Sequence, residues 1–256
     1  MRGGRRASLT RAIGPRSDER QVLRVKAPSL LMRRLQLASP IMPALQNIRH
    51  IIFDLDGVLL NIDYGATEKA FIDLGIPDFG ARYSQLAQSA LFDELETGRL
   101  DRSAFIAAVR AFDQSLNLSE AQIEKAWNAM LLDFPLRRLQ LLQQLRGHYD
   151  LFLLSNTNEI HELAFNAILS GSHGLPSIAT LFDRVYFSHR VGMRKPDEVV
   201  FRHILEENEL RPEHTLFIDD SPQHIETAQR LGIQTIWLKP GMTIEDDVFK
   251  KVSSEQ

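Results

Sequence analysis

The sequence predicts an α/β fold, a Rossmann-like parallel sheet with helices on both faces and a small α-helical domain inserted into it. Two observations support this prediction. Short apolar segments of strand length alternate with segments of helical periodicity along most of the chain. In addition, about a hundred residues separate the first two strands, whereas a simple crossover between parallel strands needs roughly 10 to 12 residues.

The first strand is expected at residues 50–53, a continuous apolar run of the kind found in buried parallel strands. Asp54 and Asp56 follow it directly, and Gly57 leaves room for a turn. The two carboxylates should emerge at the carboxyl end of the strand, where open α/β sheets bind their ligands. Alone, this segment is also compatible with an ordinary turn or with part of a calcium-binding loop.

The long insertion has a helical pattern, and we expect residues 64–133 to form a small helical bundle. Its apolar residues recur at steps of three and four positions: Phe105, Ile106, Val109, Phe112 and Leu116, and then Ile123, Ala126, Trp127 and Met130. Ser119 and Gln122 have the spacing of a capping box at the start of the second of these helices. Two earlier helices are expected at residues 67–74 and 83–95.

Helices and strands alternate after the insertion, so we assign residues 42–63 and 134–256 to the α/β core. Helices are expected at residues 136–146, 159–169, 199–207 and 223–231, and strands at 151–154, 185–188, 215–218 and 233–238. Such an alternation is typical of a parallel sheet, in which each crossover between strands contains a helix.

Polar residues follow three of these later strands. Ser155 and Asn156 come directly after the second strand, Lys195 comes shortly after the third, and Asp219 and Asp220 come directly after the fourth. The carboxyl ends of parallel strands meet at one edge of a sheet. We therefore expect these side chains to gather beside the two aspartates that follow the first strand.

The order of these residues resembles that of the haloacid dehalogenase superfamily. The four motifs of that superfamily match, in order, Asp54 with Asp56, Ser155, Lys195, and Asp219 with Asp220. The resemblance covers residues 50–239 and is nearest to the small-molecule phosphatases that carry a helical cap after the first motif, the group that contains sugar-phosphate and phosphoglycolate phosphatases. It implies a Mg²⁺-dependent hydrolase that acts on phosphoric monoesters through an aspartyl-phosphate.

Asp54 is the candidate nucleophile, because a carboxylate with a reference pKa of about 3.9 is ionised at neutral pH and can attack phosphorus. Asp56 is the candidate general acid and base, which would protonate the leaving oxygen and then activate water. An aspartate at this second position also separates the chain from the dehalogenase branch. The structural alternatives are a solvated turn residue or a helix cap for Asp54 and an Asx-turn for Asp56.

A metal ion is expected because like charges about 4 Å apart repel by roughly 4 kcal/mol at an effective dielectric constant near 20. Carboxylate oxygens suit a hard dication such as Mg²⁺. By resemblance, the ligands would be the Asp54 carboxylate, the Asp56 backbone carbonyl and Asp220, with Asp219 binding directly or through water. Asp220 also lies at a predicted helix start with Pro222 at the first helical position, so a capping role stays open.

The phosphoryl oxygens would be bound by the Ser155 hydroxyl, the backbone N–H of Asn156 and the Lys195 ammonium group, which offsets developing negative charge. Ser155 alone is an unspecific signal, because many strands end in serine. Pro196 is more informative. It is expected to fix the start of the following helix and therefore the direction from which the lysine enters the site.

The charge is distributed unevenly along the chain. Residues 1–49 carry 11 of the 30 Lys and Arg residues and 2 of the 33 Asp and Glu residues, a net charge of +9, whereas residues 50–256 carry −12. We expect residues 1–41 to be a disordered extension upstream of a native start at Met42. A transit peptide or a nucleic-acid-binding arm would have a similar composition. The acidic body argues against nucleic acid as its main ligand.

Composition excludes several other classes of protein. The chain has no cysteine, which rules out disulfides and thiolate metal sites, and no apolar stretch near the roughly 20 residues that span a membrane. Its eight histidines lack the spacing of a zinc site.

We interpret Trp127 and Trp237 as packing residues and Arg137-Arg138 as part of a solvated helix face. A cytoplasmic location is expected.

The sequence thus predicts a phosphatase for a small phosphorylated metabolite. Side chains of the insertion that could contact the substrate are Lys69, Arg82, Arg99 and Arg102. One rival is a phosphomutase of the same superfamily, which is disfavoured because the related sugar phosphomutases use a histidine at the cap hinge and residues 51–147 contain none. The other rival is a catalytically silent binding module. The sequence does not identify the substrate, and it does not decide between a monomer and a homodimer.

Overall fold

The computed structural model describes residue 45 and residues 47–77, 79–81 and 90–249. Four features predicted from the sequence lie wholly or mostly outside these residues: the extension at 1–41, the start at Met42, Arg82 and the helix at 83–95. Within the described part of the chain, no helix is both long enough and apolar enough to cross a membrane.

The described residues form one sheet of parallel strands. The strands are β1 (His50–Phe53), β2 (Asp150–Ser155), β3 (Arg184–Phe187), β4 (Thr215–Asp219) and β5 (Gln234–Trp237). Their order is β3-β2-β1-β4-β5, and β1 in the centre pairs with both β2 and β4. The predicted parallel α/β sheet is confirmed.

The insertion between β1 and β2 contains helices α1 (Tyr64–Asp73), α2 (Ala90–Glu96), α3 (Arg102–Arg110) and α4 (Glu120–Trp127). Phe71, Phe105 and Ile123 belong to a hydrophobic cluster that is separate from those of the sheet. The two chain segments that lead into and out of the insertion pair with each other through an antiparallel bridge between Ile62 and Leu131.

One of the predicted helix starts in the insertion is confirmed and one helix is shorter than predicted. Ser119 and Gln122 form the expected capping box at the start of α4. Phe112 and Leu116, however, were expected to continue α3, which ends at Arg110. The reason is Asp113, whose carboxylate accepts a hydrogen bond from the backbone N–H of Ser115 and starts a separate 3₁₀ turn, Gln114–Leu116.

The helices that cover the sheet are α5 (Leu136–Leu145), α6 (Glu159–His173), α7 (Ser188–Val191), α8 (Glu198–Glu207) and α9 (Pro222–Arg230). Alternate residues of β1 contact opposite layers, as the period of a strand requires. Ile51 and Phe53 pack on one side with Phe165 of α6, and Ile52 packs on the other with Phe201 of α8. Helices therefore cover both faces.

Two features at the ends of the core helices differ from the prediction by more than a single residue. The apolar periodicity of α6 stops near Leu169, but the helix continues to His173 because Gly174, with a left-handed backbone, is the residue that ends it. Pro196 was expected at the start of α8. The helix begins at Glu198, so the proline lies ahead of it and does not occupy its first turn.

Arg138 corrects the prediction of a solvated helix face. Arg137 is exposed and pairs with Asp246, as expected of a surface residue. Arg138 is only 5% exposed, and its guanidinium donates to Glu245 at 3.1 Å and to the Asn61 side chain at 3.0 Å. Glu245 is distant in sequence, so the burial of Arg138 depends on the tertiary fold.

The two tryptophans differ from each other. Trp127 is buried and stacks on His161 with ring centroids 5.0 Å apart, which confirms its interpretation as a packing residue. Trp237 at the end of β5 is 39% exposed, so the same interpretation is wrong there. Its indole N–H donates to the backbone oxygen of Asp220 at 3.0 Å, which places this ring beside the predicted site.

Candidate active site

The residues predicted to form the site meet at the carboxyl edge of the sheet. Asp54 directly follows β1, whereas Ser155 and Asp219 are the last residues of β2 and β4. Lys195 comes from the loop between α7 and α8. The chain direction shared by parallel strands therefore gathers side chains that are far apart in sequence.

Lys195 is the centre of the arrangement. It is fully buried, and its ammonium group lies 2.7 Å from both Asp54 Oδ1 and Asp219 Oδ2. The Asn156 side chain fixes its backbone: Nδ2 donates to the Lys195 carbonyl at 2.8 Å and Oδ1 accepts from its N–H at 2.9 Å. Burial disfavours the ammonium charge, but Asp219 and Asp54 outweigh it, and the pKa of Lys195 is raised.

Asp54 is buried and Asp56 is half-buried, and both lie among negatively charged groups. Burial and repulsion from Asp219 raise the pKa of Asp54 well above its usual value, although Lys195 opposes this. Burial raises the pKa of Asp56 to about 7, with further contributions from Asp220 and against the effect of Lys195. A carboxyl group that titrates near neutral pH can both give and accept a proton under physiological conditions.

Asp219 is the most fully bonded carboxylate of the site. Its burial is outweighed by Lys195 and by His224, so the pKa of Asp219 is lowered and the group is ionised. Oδ1 accepts hydrogen bonds from the backbone N–H of Ser221 at 2.7 Å and from His224 Nδ1 at 2.9 Å. The N-cap residue of α9 is Ser221 and the helix has no side-chain cap hydrogen bond, so the capping role considered for Asp220 is not found.

His224 is a site residue that the sequence analysis missed. It lies in the first turn of α9, with Nδ1 within 3.0 Å of both Asp219 carboxylate oxygens. The search for histidine pairs could not find it, because its partners are carboxylates. The available signal was its position five residues after Asp219, which places it within the first turn of the helix that follows the last motif.

Two sets of side chains could hold a cation. The first, Asp54, Asp219 and His224, has ligand atoms within 4.8 Å of one another. The Lys195 ammonium group already bridges its two aspartates, however, so a dication there would meet a like charge. This geometry argues against the first set.

The second set consists of Asp54, Asp56 and Asp220, and it lies at the loop after β1. A Cβ atom on Gly57 would come within 2.3 Å of Asp220 Oδ2, so the Asp220 carboxylate lies directly against the backbone that follows Asp56. Burial and Asp219 raise the pKa of Asp220. With Asp54 and Asp56 this makes three carboxyl groups whose negative charge is not fully compensated. Their hard oxygen donors and excess charge fit a Mg²⁺ ion.

The remaining candidates differ in their surroundings. Ser155 is fully buried, and its hydroxyl lies 3.5 Å from the Asn156 backbone oxygen. In the insertion, Lys69 is exposed and pairs with Asp73, and Arg102 pairs with acidic residues of α4. Arg99 is exposed. The charges of Lys69 and Arg102 are therefore directed to carboxylates of the insertion itself.

Comparisons with known proteins agree with this geometry. A family model described as haloacid dehalogenase-like hydrolase matches residues 48–232. D-ribitol-5-phosphate phosphatase from Bacteroides thetaiotaomicron is 32% identical over 190 residues, which cover 73% of this chain and 90% of that protein. This is a likeness over nearly the full length of the relative.

Two solved structures of a HAD family enzyme from Bacteroides thetaiotaomicron are similar in fold. The first, a magnesium complex, has a TM-score of 0.72 and 31% identity and covers 79% of this chain and 98% of that chain. The second, with magnesium and inorganic phosphate, has a TM-score of 0.68 and 32% identity and covers 78% of this chain and 98% of that chain. Together with the family model, these likenesses show that the chain belongs to the haloacid dehalogenase-like hydrolases.

Proposed function

We propose that this chain is a Mg²⁺-dependent phosphatase that hydrolyses a small phosphate monoester with a hydroxylated carbon chain, a polyol or sugar phosphate. One observation carries the proposal: a fully buried lysine bridges two aspartates at the carboxyl edge of the sheet, beside a third aspartate with a pKa of about 7. The D-ribitol-5-phosphate phosphatase that the chain resembles supports the class of substrate.

Asp54 is the nucleophile of the proposed reaction. One oxygen of its ionised carboxylate attacks phosphorus, the bond to the leaving oxygen breaks, and an aspartyl-phosphate forms. The positive charge of Mg²⁺, when bound, would offset the burial and repulsion that raise the pKa of Asp54. The backbone N–H of Leu55 donates to Oδ1 of Asp54 at 2.7 Å, and Lys195 contacts the same atom. These two contacts fix the position of the carboxylate through Oδ1.

Asp56 is the general acid and general base of the proposed reaction. In its protonated form it donates a proton to the leaving alkoxide, which departs as the alcohol. In its ionised form it then takes a proton from water, and the resulting hydroxide attacks the phosphorus of the aspartyl-phosphate. Inorganic phosphate leaves, and Asp54 is regenerated. Both forms of Asp56 are populated near neutral pH because its pKa is about 7.

The metal ion would be held by the Asp54 carboxylate, the Asp56 backbone carbonyl and Asp220. When bound, Mg²⁺ supplies positive charge that offsets the negative charge of the carboxylates and the phosphate. Asp219 fits a supporting role better than direct ligation, because Lys195, His224 and the Ser221 N–H already occupy its oxygens. The Ser155 hydroxyl, the Asn156 N–H and Lys195 would bind the phosphoryl oxygens.

Residues 64–133 would act as a cap that excludes water and selects the substrate. Contacts between the insertion and the core support this role. Arg194, which precedes Lys195, pairs with Asp93 and Glu96 of the insertion. A Cβ atom on Gly98 would come within 2.1 Å of the His189 backbone oxygen, so the two parts of the chain touch directly here.

The proposal is tested by measuring phosphate release from a panel of metabolite phosphates, with Mg²⁺ and with excess chelator. We expect turnover of polyol or sugar phosphates that depends on the metal. Release of phosphate from no member of the panel would favour a binding module. Transfer of the phosphoryl group between two positions of a sugar, without release, would favour a phosphomutase.

A further inference from the structure

Trp237, the last residue of β5, lies at the end of the sheet that carries the proposed metal site. In the pairing of β4 with β5 it stands opposite Asp219, and the next residue, Leu238, donates its backbone N–H to the Asp219 carbonyl at 2.9 Å. Asp220 lies one residue beyond the end of β4. Pairing between the strands therefore fixes the backbone of Asp219, whereas the backbone of Asp220 depends on other contacts.

The indole ring of Trp237 supplies such a contact. Its Nε1–H donates to the Asp220 backbone oxygen at 3.0 Å. The residue is 39% exposed, so burial of its apolar surface is incomplete and explains only part of the presence of a tryptophan here. None of the steps proposed for hydrolysis uses this side chain. Its defined polar contact is with the residue that is proposed as a metal ligand.

The Asp220 carboxylate is held in an unfavourable place. Its Oδ2 atom lies so close to Gly57 that a Cβ atom there would be 2.3 Å away, and burial and repulsion from Asp219 raise the pKa of Asp220. Repulsion of this kind favours movement of the ionised group away from its neighbour. A hydrogen bond to the Asp220 backbone opposes this movement, because the side chain can shift less when its own peptide is fixed.

We propose that Trp237 is a positioning residue whose indole N–H holds the Asp220 backbone and thereby keeps the Asp220 carboxylate in place for Mg²⁺. The proposal rests on the metal site proposed above and deepens it. Trp237 acts on the metal ion through Asp220. A ligand that is already in place when the metal arrives loses less conformational freedom on binding, and the loss of a group that orients a metal ligand typically lowers metal affinity by 10- to 100-fold.

The test measures the dissociation constant of Mg²⁺ for the substrate-free protein by isothermal titration calorimetry. Trp237→Phe keeps an aromatic ring and removes the N–H donor, and we expect it to raise this Kd by roughly tenfold. Saturating Mg²⁺ should then restore most of the kcat for release of phosphate, because the metal site is weakened and not destroyed. A role in stability alone would instead lower the melting temperature in chelator and leave the Kd for Mg²⁺ unchanged.

Two variants are matched controls. Trp127→Phe makes the same substitution at the other tryptophan of the chain, which is buried in the insertion. Lys239→Met removes the ammonium group that lies 5.2 Å from the centroid of the Trp237 ring and keeps the indole donor. Neither should weaken the binding of Mg²⁺. An unchanged Kd in Trp237→Phe, or an equal rise in either control, would overturn the role of Trp237 while leaving the metal site and the phosphatase intact. An unmodified protein that binds no Mg²⁺ would overturn both proposals.

Discussion

Gly57→Ala should disturb the metal site through the position of one carboxylate. Gly57 has φ of +73°, and a Cβ atom there would lie 2.3 Å from Asp220 Oδ2 and 2.9 Å from its Cγ atom. Ordinary van der Waals contact begins at about 3.4 Å, so the carboxylate would have to move by roughly 1 Å. Protein–metal distances tolerate only about 0.2 Å. The Asp220 ligand would therefore be displaced.

Two effects of this substitution can be separated. The left-handed backbone disfavours alanine by about 1 to 2 kcal/mol, which corresponds to a fall in melting temperature of roughly 2 to 8 °C for a domain of this size. The displaced ligand should in addition raise the Mg²⁺ concentration for half-maximal activity by roughly tenfold to a hundredfold, the usual cost of disturbing the support of a metal ligand.

Gly174→Ala is the control for the backbone effect. Gly174 has φ of +67°, and a Cβ atom there would have no described atom within 4 Å. It should therefore lower the melting temperature by a similar amount and leave the Mg²⁺ dependence unchanged. Magnesium titrations of phosphatase activity, with melting curves for both variants, provide the assay. The same Mg²⁺ requirement in Gly57→Ala and Gly174→Ala would refute the assignment of Asp220 as a ligand.

Two further predictions concern stability and the metal. Burial lowers the pKa of His161 to about 4 despite its hydrogen bond to the Trp127 backbone, so the unfolded chain, with a histidine pKa of about 6.5, takes up this proton first as the pH falls. The free energy of unfolding should thus drop between pH 6.5 and 4, by about 2 kcal/mol at pH 5 from this group. Urea denaturation at several pH values measures this. The free energy of unfolding should depend less on pH in His161→Gln, whereas the exposed control His148→Gln should keep the pH dependence of the unmodified protein. Asp220→Asn should raise the Mg²⁺ requirement at least tenfold, and full turnover of the unmodified enzyme in excess chelator would contradict the metal site.

The strands and most of the site could be predicted from sequence because they depend on local pattern. Apolar runs of strand length locate β1 and β4, and the chain direction of a parallel sheet then brings Asp54 and Asp219 to the same edge. Lys195 was found in the same way, because it lies shortly after β3, in the loop between α7 and α8. Their proximity was predictable, whereas the 2.7 Å contacts of the lysine were not.

Features that depend on distant parts of the chain could not be predicted. Arg138 is buried and pairs with Glu245, which lies more than a hundred residues away in sequence. Two neighbouring arginines on a helix do not indicate that one of them is buried. Glu96 pairs with Arg194, the neighbour of Lys195, only because the insertion packs on the core. The different roles of the neighbouring carboxylates Asp219 and Asp220 could not be predicted either. Only the positions of Lys195 and His224 show that Asp219 is bonded within the protein.

The central claim is that Asp54 attacks phosphorus and Asp56 transfers protons. Asp56→Asn keeps the nucleophile and removes acid and base help of roughly 10²- to 10⁴-fold. With p-nitrophenyl phosphate, whose leaving group needs no proton, attack should survive better than the breakdown of the aspartyl-phosphate by water. A phosphoryl adduct should accumulate.

Intact-mass analysis after rapid quench, followed by peptide mapping, measures this adduct directly. We expect one phosphoryl group on Asp54 in Asp56→Asn, and no adduct and no turnover in Asp54→Asn, because the amide is a poor nucleophile. An adduct on a residue other than Asp54, or equal loss of attack and breakdown in Asp56→Asn, would contradict the assignment of the two aspartates.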